Sequence, residues 1–371
     1  MKTAVVVPWI PAIKGSALAI AVAKYLKREG AEVDFIAHTV ASEHIEELKE
    51  MLGCGVNLII LEKSNKEKIN TLSYLKYQYF SRMDKDISKF ISNSSYDFVL
   101  VISDEGHAIA KTFKKSINEP LSNIPKFGIL MQELIDYSFE SEIYTSYGLI
   151  RKFARILLPI FHNIEKKRLN YFDFVYSNSE WTSKNLMLYY GIKARMAISP
   201  VDEELFGFNS DVSTKSCRIA LPTAALDKSG KKLVKRLKMD GIDLVAYGSK
   251  QVEGVPNLGF LSREEMSSVI ASASALLFYF DYEALGLIPI ESLMLGTPVI
   301  TIPKQGPLSS LSYNKFVKFA NNYQEFLDSC KYFLQQSSDR DIRSECAYSV
   351  RNFSAAIVVH KLYEDIKEMI K

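Results

Sequence analysis

The sequence predicts an α/β protein built from two doubly wound, Rossmann-like domains. Three observations predict it. Short continuous apolar runs such as Ala4 to Val7 recur along the chain, with the composition of parallel strands buried on both faces. They alternate with segments of helical period. The length of 371 residues exceeds one typical domain, and the alternation restarts after Asp202.

In the first half, the Ala4 to Val7 strand leads through a loop, Pro8 to Gly15, to a helix from about Ser16 to Glu29. Val33 to Ala37 is the next strand, His44 to Leu52 a helix, and Asn57 to Leu61 a strand. Tyr96 to Ile102 is a strong apolar strand, followed by Phe127 to Met131 and Phe174 to Ser177. After a hinge near 200–213 the pattern resumes with a strand at Arg218 to Leu221, a basic helix from Gly230 to Lys238 and a strand at Leu244 to Tyr247. Ser262, with Glu265 three residues on, is a capping box opening a helix to Ser272. Ala275 to Phe280 and Val299 to Ile302 are strands on either side of a further helix, and Ser354 to Ile370 is an amphipathic terminal helix.

Composition narrows the function classes. Hydrophobic content of 47% and charged content of 24% fit a globular protein with sizeable cores, and a net charge of +3 is too small to imply a nucleic-acid partner. Cys54, Cys217, Cys330 and Cys346 are far apart and form no C-x-x-C pair, which argues against a zinc site or a disulfide framework and for a reducing compartment. The first residues lack the basic and long apolar regions of a signal peptide, and no apolar run reaches the ~20 residues of a membrane span. The expected location is cytoplasmic. Residues 147–169 are basic and apolar, a composition suited to core packing with a solvated edge and also to peripheral contact with an anionic membrane at its inner face.

The stretch from Phe278 to Thr301 carries the chemistry. A strand running into a helix start makes an anion site, because free N–H groups and the helix dipole face the ligand. Gly286 lets the backbone approach a phosphate. Glu283 and Glu291, with seven residues between them, would repel that phosphate and suit sugar hydroxyls on either side of it. A nucleotide-diphosphate sugar fits such a site.

Glu283-Ala-Leu-Gly-Leu-Ile-Pro-Ile-Glu291, followed by Leu295-Gly-Thr-Pro-Val, resembles the E-x7-E signature of retaining GT-B glycosyltransferases, family 4-like, of glycosyl transferases group 1. Phe172-Asp-Phe-Val-Tyr-Ser-Asn-Ser-Glu-Trp-Thr and Ser199-Pro-Val-Asp-Glu-Glu-Leu-Phe206 are similar to two further segments of that family, although Ser177, Ser179 and Asp202 also suit plain turn and cap chemistry. The resemblance implies a GT-B fold: 1–200 as a Rossmann-like acceptor-binding domain, 201–353 as a Rossmann-like donor-binding domain facing it across a cleft, and 354–371 as a helix packing back on the first domain.

It also implies roles. Glu291 would bind ribose hydroxyls and Glu283 the donor sugar, with Leu285, Gly286 and Leu287 offering N–H groups to the diphosphate. Lys228 or Lys231, in Leu226-Asp-Lys-Ser-Gly-Lys-Lys232, would supply positive charge; the Arg that the family carries five positions before Lys228 is Thr223 here. In the first domain Gly15 would approach the diphosphate, Asp104 and His107 follow a strand end where the family places site residues, and Glu133 falls on the acceptor side. His38, His44, His162 and His360 read as structural or exposed. Asp84-Lys85-Asp86 matches the metal–diphosphate motif of the GT-A fold but reads as a solvated charge cluster, and no metal or cofactor is expected. The implied reaction is metal-independent transfer of a hexose, with retention, to a glycan or lipid-linked acceptor. Two alternatives share the fold: a nucleotide-sugar 2-epimerase, and a non-catalytic nucleotide-sugar-binding subunit, which the missing Arg suggests.

Overall fold

Apolar residues alternate between two cores along the first strand, and that alternation organises the first sheet. The computed structural model describes residues 1–10, 16–64, 82–102, 106–117, 124–132, 134, 148–196, 200–206, 216–336 and 340–371. Strand β1 (Lys2–Ile10) sends Val5 and Val7 into one cluster and Ala4 and Val6 into the other, so both faces of the sheet are covered. It is followed by α1 (Ala17–Arg28), β2 (Glu32–Ala41), α2 (Ile45–Leu52) and β3 (Asn57–Ser64). Then come α3 (Met83–Ser92), β4 (Phe98–Ile102), α4 (Ile109–Ser116) and β5 (Lys126–Met131). The half closes with α5 (Gly148–Leu169), β6 (Phe174–Ser177) and α6 (Glu180–Asn185).

The strands pair in parallel in the order β3-β2-β1-β4-β5-β6. This is the doubly wound dinucleotide-fold order. Ser179 caps α6 by accepting from the Thr182 N–H at 3.1 Å. Helix α3, where the sequence suggested only solvated charge, buries Met83, Ile87 and Ile91 against the sheet.

The second half contains β7 (Ser216–Pro222), α7 (Lys228–Met239), β8 (Leu244–Tyr247), α8 (Arg263–Ser272) and β9 (Ala273–Phe278). It continues with α9 (Leu287–Met294), β10 (Val299–Thr301), α10 (Gln305–Leu311), β11 (Val317–Phe319), α11 (Tyr323–Gln335) and α12 (Arg340–Tyr348). These strands are also parallel, in the order β11-β10-β9-β7-β8. Strand β9 is central: Ala275 and Leu277 face one cluster, Leu276 and Phe278 the other. It starts and ends two residues earlier than the sequence suggests, so Tyr279 and Phe280 open the following loop. The capping box is present: Ser262 Oγ accepts from Glu265 N–H at 3.2 Å, and Glu265 accepts from Ser262 N–H at 2.8 Å.

The last helix, α13 (Ala355–Ile370), belongs to the first unit, which comprises 1–200 with 355–371; the second unit is 201–354. Ala355, Val359, Leu362 and Ile366 recur at helical spacing and join the cluster that holds Leu18, Val22 and Leu26 of α1. Asp365 fixes the other edge of the contact, accepting from the Tyr176 hydroxyl at 2.9 Å and from Arg195 Nε at 2.7 Å. Leu362 is fully buried. Leu362→Ala should therefore cost about 2–5 kcal/mol of stability, seen as a lower urea midpoint, whereas Lys361→Ala on the exposed side should stay within about 0.5 kcal/mol.

Candidate functional site

The second unit's central strand ends in a loop that its neighbours hold tightly. Gly286 stands at the N-cap of α9 with φ +91°, a left-handed conformation that favours glycine. No acidic residue lies in the first turn of α9. Instead the Glu283 carboxylate reaches back: its Oε1 accepts from Gly286 N–H at 2.9 Å and Leu285 N–H at 3.3 Å. A negative group thus sits at the positive end of the helix. Two of the N–H groups expected to meet a phosphate are engaged by the chain's own carboxylate.

Segment 304–307 clamps this loop. Gln305 Oε1 accepts from Glu283 N–H at 2.8 Å, Gly306 N–H donates to the Glu283 carbonyl at 3.0 Å, and Lys304 Nζ donates to the Asp281 carbonyl at 2.5 Å. A side chain at Gly306 would place its Cβ 2.2 Å from the Ala284 carbonyl oxygen, so the two backbones touch only because residue 306 is glycine. Gln305 takes φ 50°, a strained value for a non-glycine residue, which these contacts hold in place.

Glu291 follows in the second turn of α9, and both carboxylates are half-buried. Burial pushes the Glu283 carboxyl above its ordinary range, opposed by the Gly286 and Leu285 N–H groups. Burial also pushes Glu291 up to about 7; Arg263, the first residue of α8, lowers it, and the neighbouring Glu283 charge raises it. The arrangement is a pair of carboxylates suited to accepting hydrogen bonds from hydroxyl groups, beside a helix N-terminus suited to an anion.

Lys228 and Lys231 lie in the first turn of α7, the former exposed and the latter half-buried. Asp227 caps that helix, accepting from Gly230 N–H at 2.6 Å. A Cβ on Gly230 would lie 2.7 Å from the ring of Tyr279, so the start of α7 packs directly on the start of the Glu283 loop. Thr223, where the family's Arg is absent, is fully buried and works within the backbone. Its N–H and Oγ1 both donate to the Tyr247 carbonyl, at 2.8 and 3.0 Å, and its Oγ1 accepts from Lys250 N–H at 3.2 Å. The Lys250 amine donates to the Leu226 carbonyl at 2.6 Å.

In the first unit, His107 is fully enclosed just before α4, with Nε2 3.2 Å from Arg168 Nη1. Gly15, Asp104 and Glu133 lie outside the described residues. In the Asp84-Lys85-Asp86 cluster Lys85 and Asp86 are exposed, as the sequence suggests, and Asp84 departs from that reading. Asp84 is half-buried, and burial raises its carboxyl to about 7 against the lowering effect of Arg168. Asp86 lies 3.1 Å from Nε2 of the buried His38, whose other nitrogen lies 2.7 Å from Thr39 Oγ1. The described residues thus bring Glu283, Leu285, Gly286, Leu287 and Glu291 together at one strand end, with Lys228 and Lys231 on the adjoining helix. Arg263, Tyr247, Gln305 and Gly306 also belong to this neighbourhood and escaped the sequence reading. The Gly306-Pro307 pair just after β10 is the sequence signal that could have located the clamp.

The raised Glu291 pKa has a definite sign. The folded chain binds a proton at this carboxyl more readily than the unfolded chain, so the stability it contributes is full below the ordinary value and is lost as pH rises through about 7. Glu291→Gln, which mimics the neutral form, should match the parent at about pH 5 and exceed it by about 1–3 kcal/mol at about pH 8 in urea unfolding.

Comparison with known proteins bears on this site directly. Residues 249–351 match the family model Glycosyl transferases group 1, a span that includes Arg263, the Glu283 loop, Glu291 and the 304–307 clamp. No curated protein sequence matches the chain. Among solved structures, sucrose-phosphate synthase from Thermosynechococcus elongatus is similar at 14% identity and TM-score 0.72, covering 100% of this chain and 99% of that one. HepE from Anabaena, in complex with UDP and glucose, is similar at 13% identity and TM-score 0.67, covering 99% of each chain. A proposed UDP-N-acetylglucosamine 2-epimerase from Listeria monocytogenes is similar at 13% identity and TM-score 0.60, covering 99% of this chain and 96% of that one. At such identities the likeness is one of fold: two parallel-sheet, Rossmann-like domains of the GT-B kind. The fold is of GT-B architecture, and residues 249–351 within it match the glycosyl transferases group 1 model.

Proposed function

We propose that the chain transfers a hexose from a nucleotide-diphosphate sugar to a glycan or lipid-linked acceptor, with retention of configuration and without a metal. The observation that carries this reading is the Glu283/Glu291 pair at the start of α9, inside the stretch that matches glycosyl transferases group 1. Glu291 accepts from the ribose hydroxyls. The N–H groups of Leu285, Gly286 and Leu287 take the diphosphate, which displaces the Glu283 carboxylate from the first two and releases it toward the donor sugar's hydroxyls. Lys228 or Lys231 offsets the charge that builds on the leaving diphosphate. The leaving phosphate takes the acceptor's proton on the same face of the sugar, so the protein mainly positions and stabilises charge.

Gly15, Asp104 and Glu133 are assigned to the first domain's side of donor and acceptor binding, and His107 to positioning through its contact with Arg168. HepE was crystallised with UDP and glucose, which supports a nucleotide-sugar donor here. Helix α5 exposes Ile156, Leu157 and Ile160 beside Lys166 and Lys167, and we assign to it a peripheral membrane contact that suits a lipid-linked acceptor. No helix among the described residues is long and apolar enough to cross a membrane. A second reading, a non-catalytic nucleotide-sugar-binding subunit, draws on the buried Thr223 at the position of the family's Arg. A third, an epimerase, draws on the Listeria structure.

A panel of UDP-, GDP- and ADP-sugars separates these readings. Slow donor hydrolysis or transfer is the expected outcome; interconversion of free nucleotide-sugars points to an epimerase, and binding without turnover to a binding subunit. With the donor identified, Glu291→Ala should weaken nucleotide binding by ~1–3 kcal/mol. Glu283→Ala should lower turnover more than nucleotide affinity. Parent-like binding and turnover in both variants would make the assignment wrong.

A further inference from the structure

The Tyr247 hydroxyl is buried and finds no hydrogen-bond partner among the described residues, in a residue only 6% exposed. An unsatisfied buried hydroxyl is costly, and phenylalanine would fill the same space without that cost. The backbone around it is fixed. Tyr247 ends β8, and its carbonyl accepts from both the N–H and the Oγ1 of Thr223. Its ring belongs to the cluster formed by Leu285 of the motif loop, Ile290 and Leu293 of α9, and Ile270 of α8. That cluster surrounds the base of the helix that carries Glu291. The Glu291 carboxylate is near enough for its charge to act on the phenol: burial, and then Glu291, raise the Tyr247 pKa and keep the O–H a proton donor. An unused donor on the end of β8 therefore shares a core cluster with Ile290 and Leu293, the α9 residues on either side of Glu291.

We propose that Tyr247 is a positioning residue of the nucleotide site: its O–H donates to one oxygen of Glu291 when the other oxygen accepts from the ribose hydroxyls. The proposal rests on the nucleotide-sugar reading of the Glu283/Glu291 site. Donation from Tyr247 fixes the carboxylate's orientation and favours its charged form at the moment of binding. Selectivity for ribose over deoxyribose then depends on a hydroxyl that does not itself touch the ligand.

The test uses UDP, GDP and ADP by isothermal titration, first to find which nucleotide the parent binds. Affinities for that nucleotide and its 2′-deoxy form are then compared in the parent, Tyr247→Phe and Glu291→Gln. The parent should prefer the ribonucleotide by about tenfold, and both variants should lose most of that preference. The melting temperature of Tyr247→Phe should equal or exceed the parent's, because the fold gains nothing from the hydroxyl. A parent-like preference in Tyr247→Phe overturns the proposal, and so does a lowered melting temperature, which would mark the hydroxyl as structural. A parent that binds none of the three nucleotides sinks the nucleotide-sugar reading and this role with it. A parent that binds one of them, with an unchanged preference in Tyr247→Phe, leaves that reading standing and removes only Tyr247.

Discussion

The Glu283 carboxylate bound to the Leu285 and Gly286 N–H groups is the contact on which the site turns. A helix that starts at the end of a buried parallel strand has N–H groups without intrahelical partners, and burying them unpaired is costly. Here the chain satisfies the N-cap Gly286 N–H, and the Leu285 N–H just before it, with its own acid. The carboxylate in turn is desolvated, which raises its pKa, and tolerates burial because those N–H groups favour its charge. Each side of the contact offsets the other's cost. Under the proposed function it is exchanged on donor binding, because a diphosphate offers the same helix end more negative charge than one carboxylate does.

That exchange requires a loop that stays in place when its carboxylate moves. The 304–307 clamp provides this through backbone: Gly306 lies too close to Ala284 for any side chain, and Gln305 Oε1 holds the Glu283 N–H while leaving its carboxylate alone. On the other flank Gly230 admits the Tyr279 ring against the start of α7. The strand beneath, β9, is wholly buried and central in its sheet, so the loop rests on a fully packed strand. Thr223 takes part in the same framework. It ties the end of β7 to the end of β8 and to the Lys250 backbone.

Much of this was legible in the sequence, for a physical reason. Strands buried on both faces must be continuously apolar, so β1, β4 and β9 stand out as runs of Val, Ile, Leu and Phe. The Ser262/Glu265 capping box is local chemistry and was equally plain. Between β10 and the terminal helix the signals fade. Strand β11 has three residues with a lysine in the middle, and α10 begins at a residue with positive φ that no propensity would favour. The site divides in the same way. The Glu283/Glu291 spacing and Gly286 are one-dimensional facts. The self-capping by Glu283, the half-buried Asp84 and the idle hydroxyl of Tyr247 arise from long-range packing and leave no trace in spacing.

The central claim is that the Leu285 and Gly286 N–H groups pass from the Glu283 carboxylate to the diphosphate of a nucleotide-sugar. Amide resonances of these two residues, followed by nuclear magnetic resonance during titration with the nucleotide-sugar that binds, test it most directly. The account predicts large, saturable shifts at both amides in the parent. It also predicts that Glu283→Gln, which removes the competing charge but keeps the loop, shows shifts at the same two amides on ligand addition. Saturable binding that leaves both amides at their starting positions would contradict it.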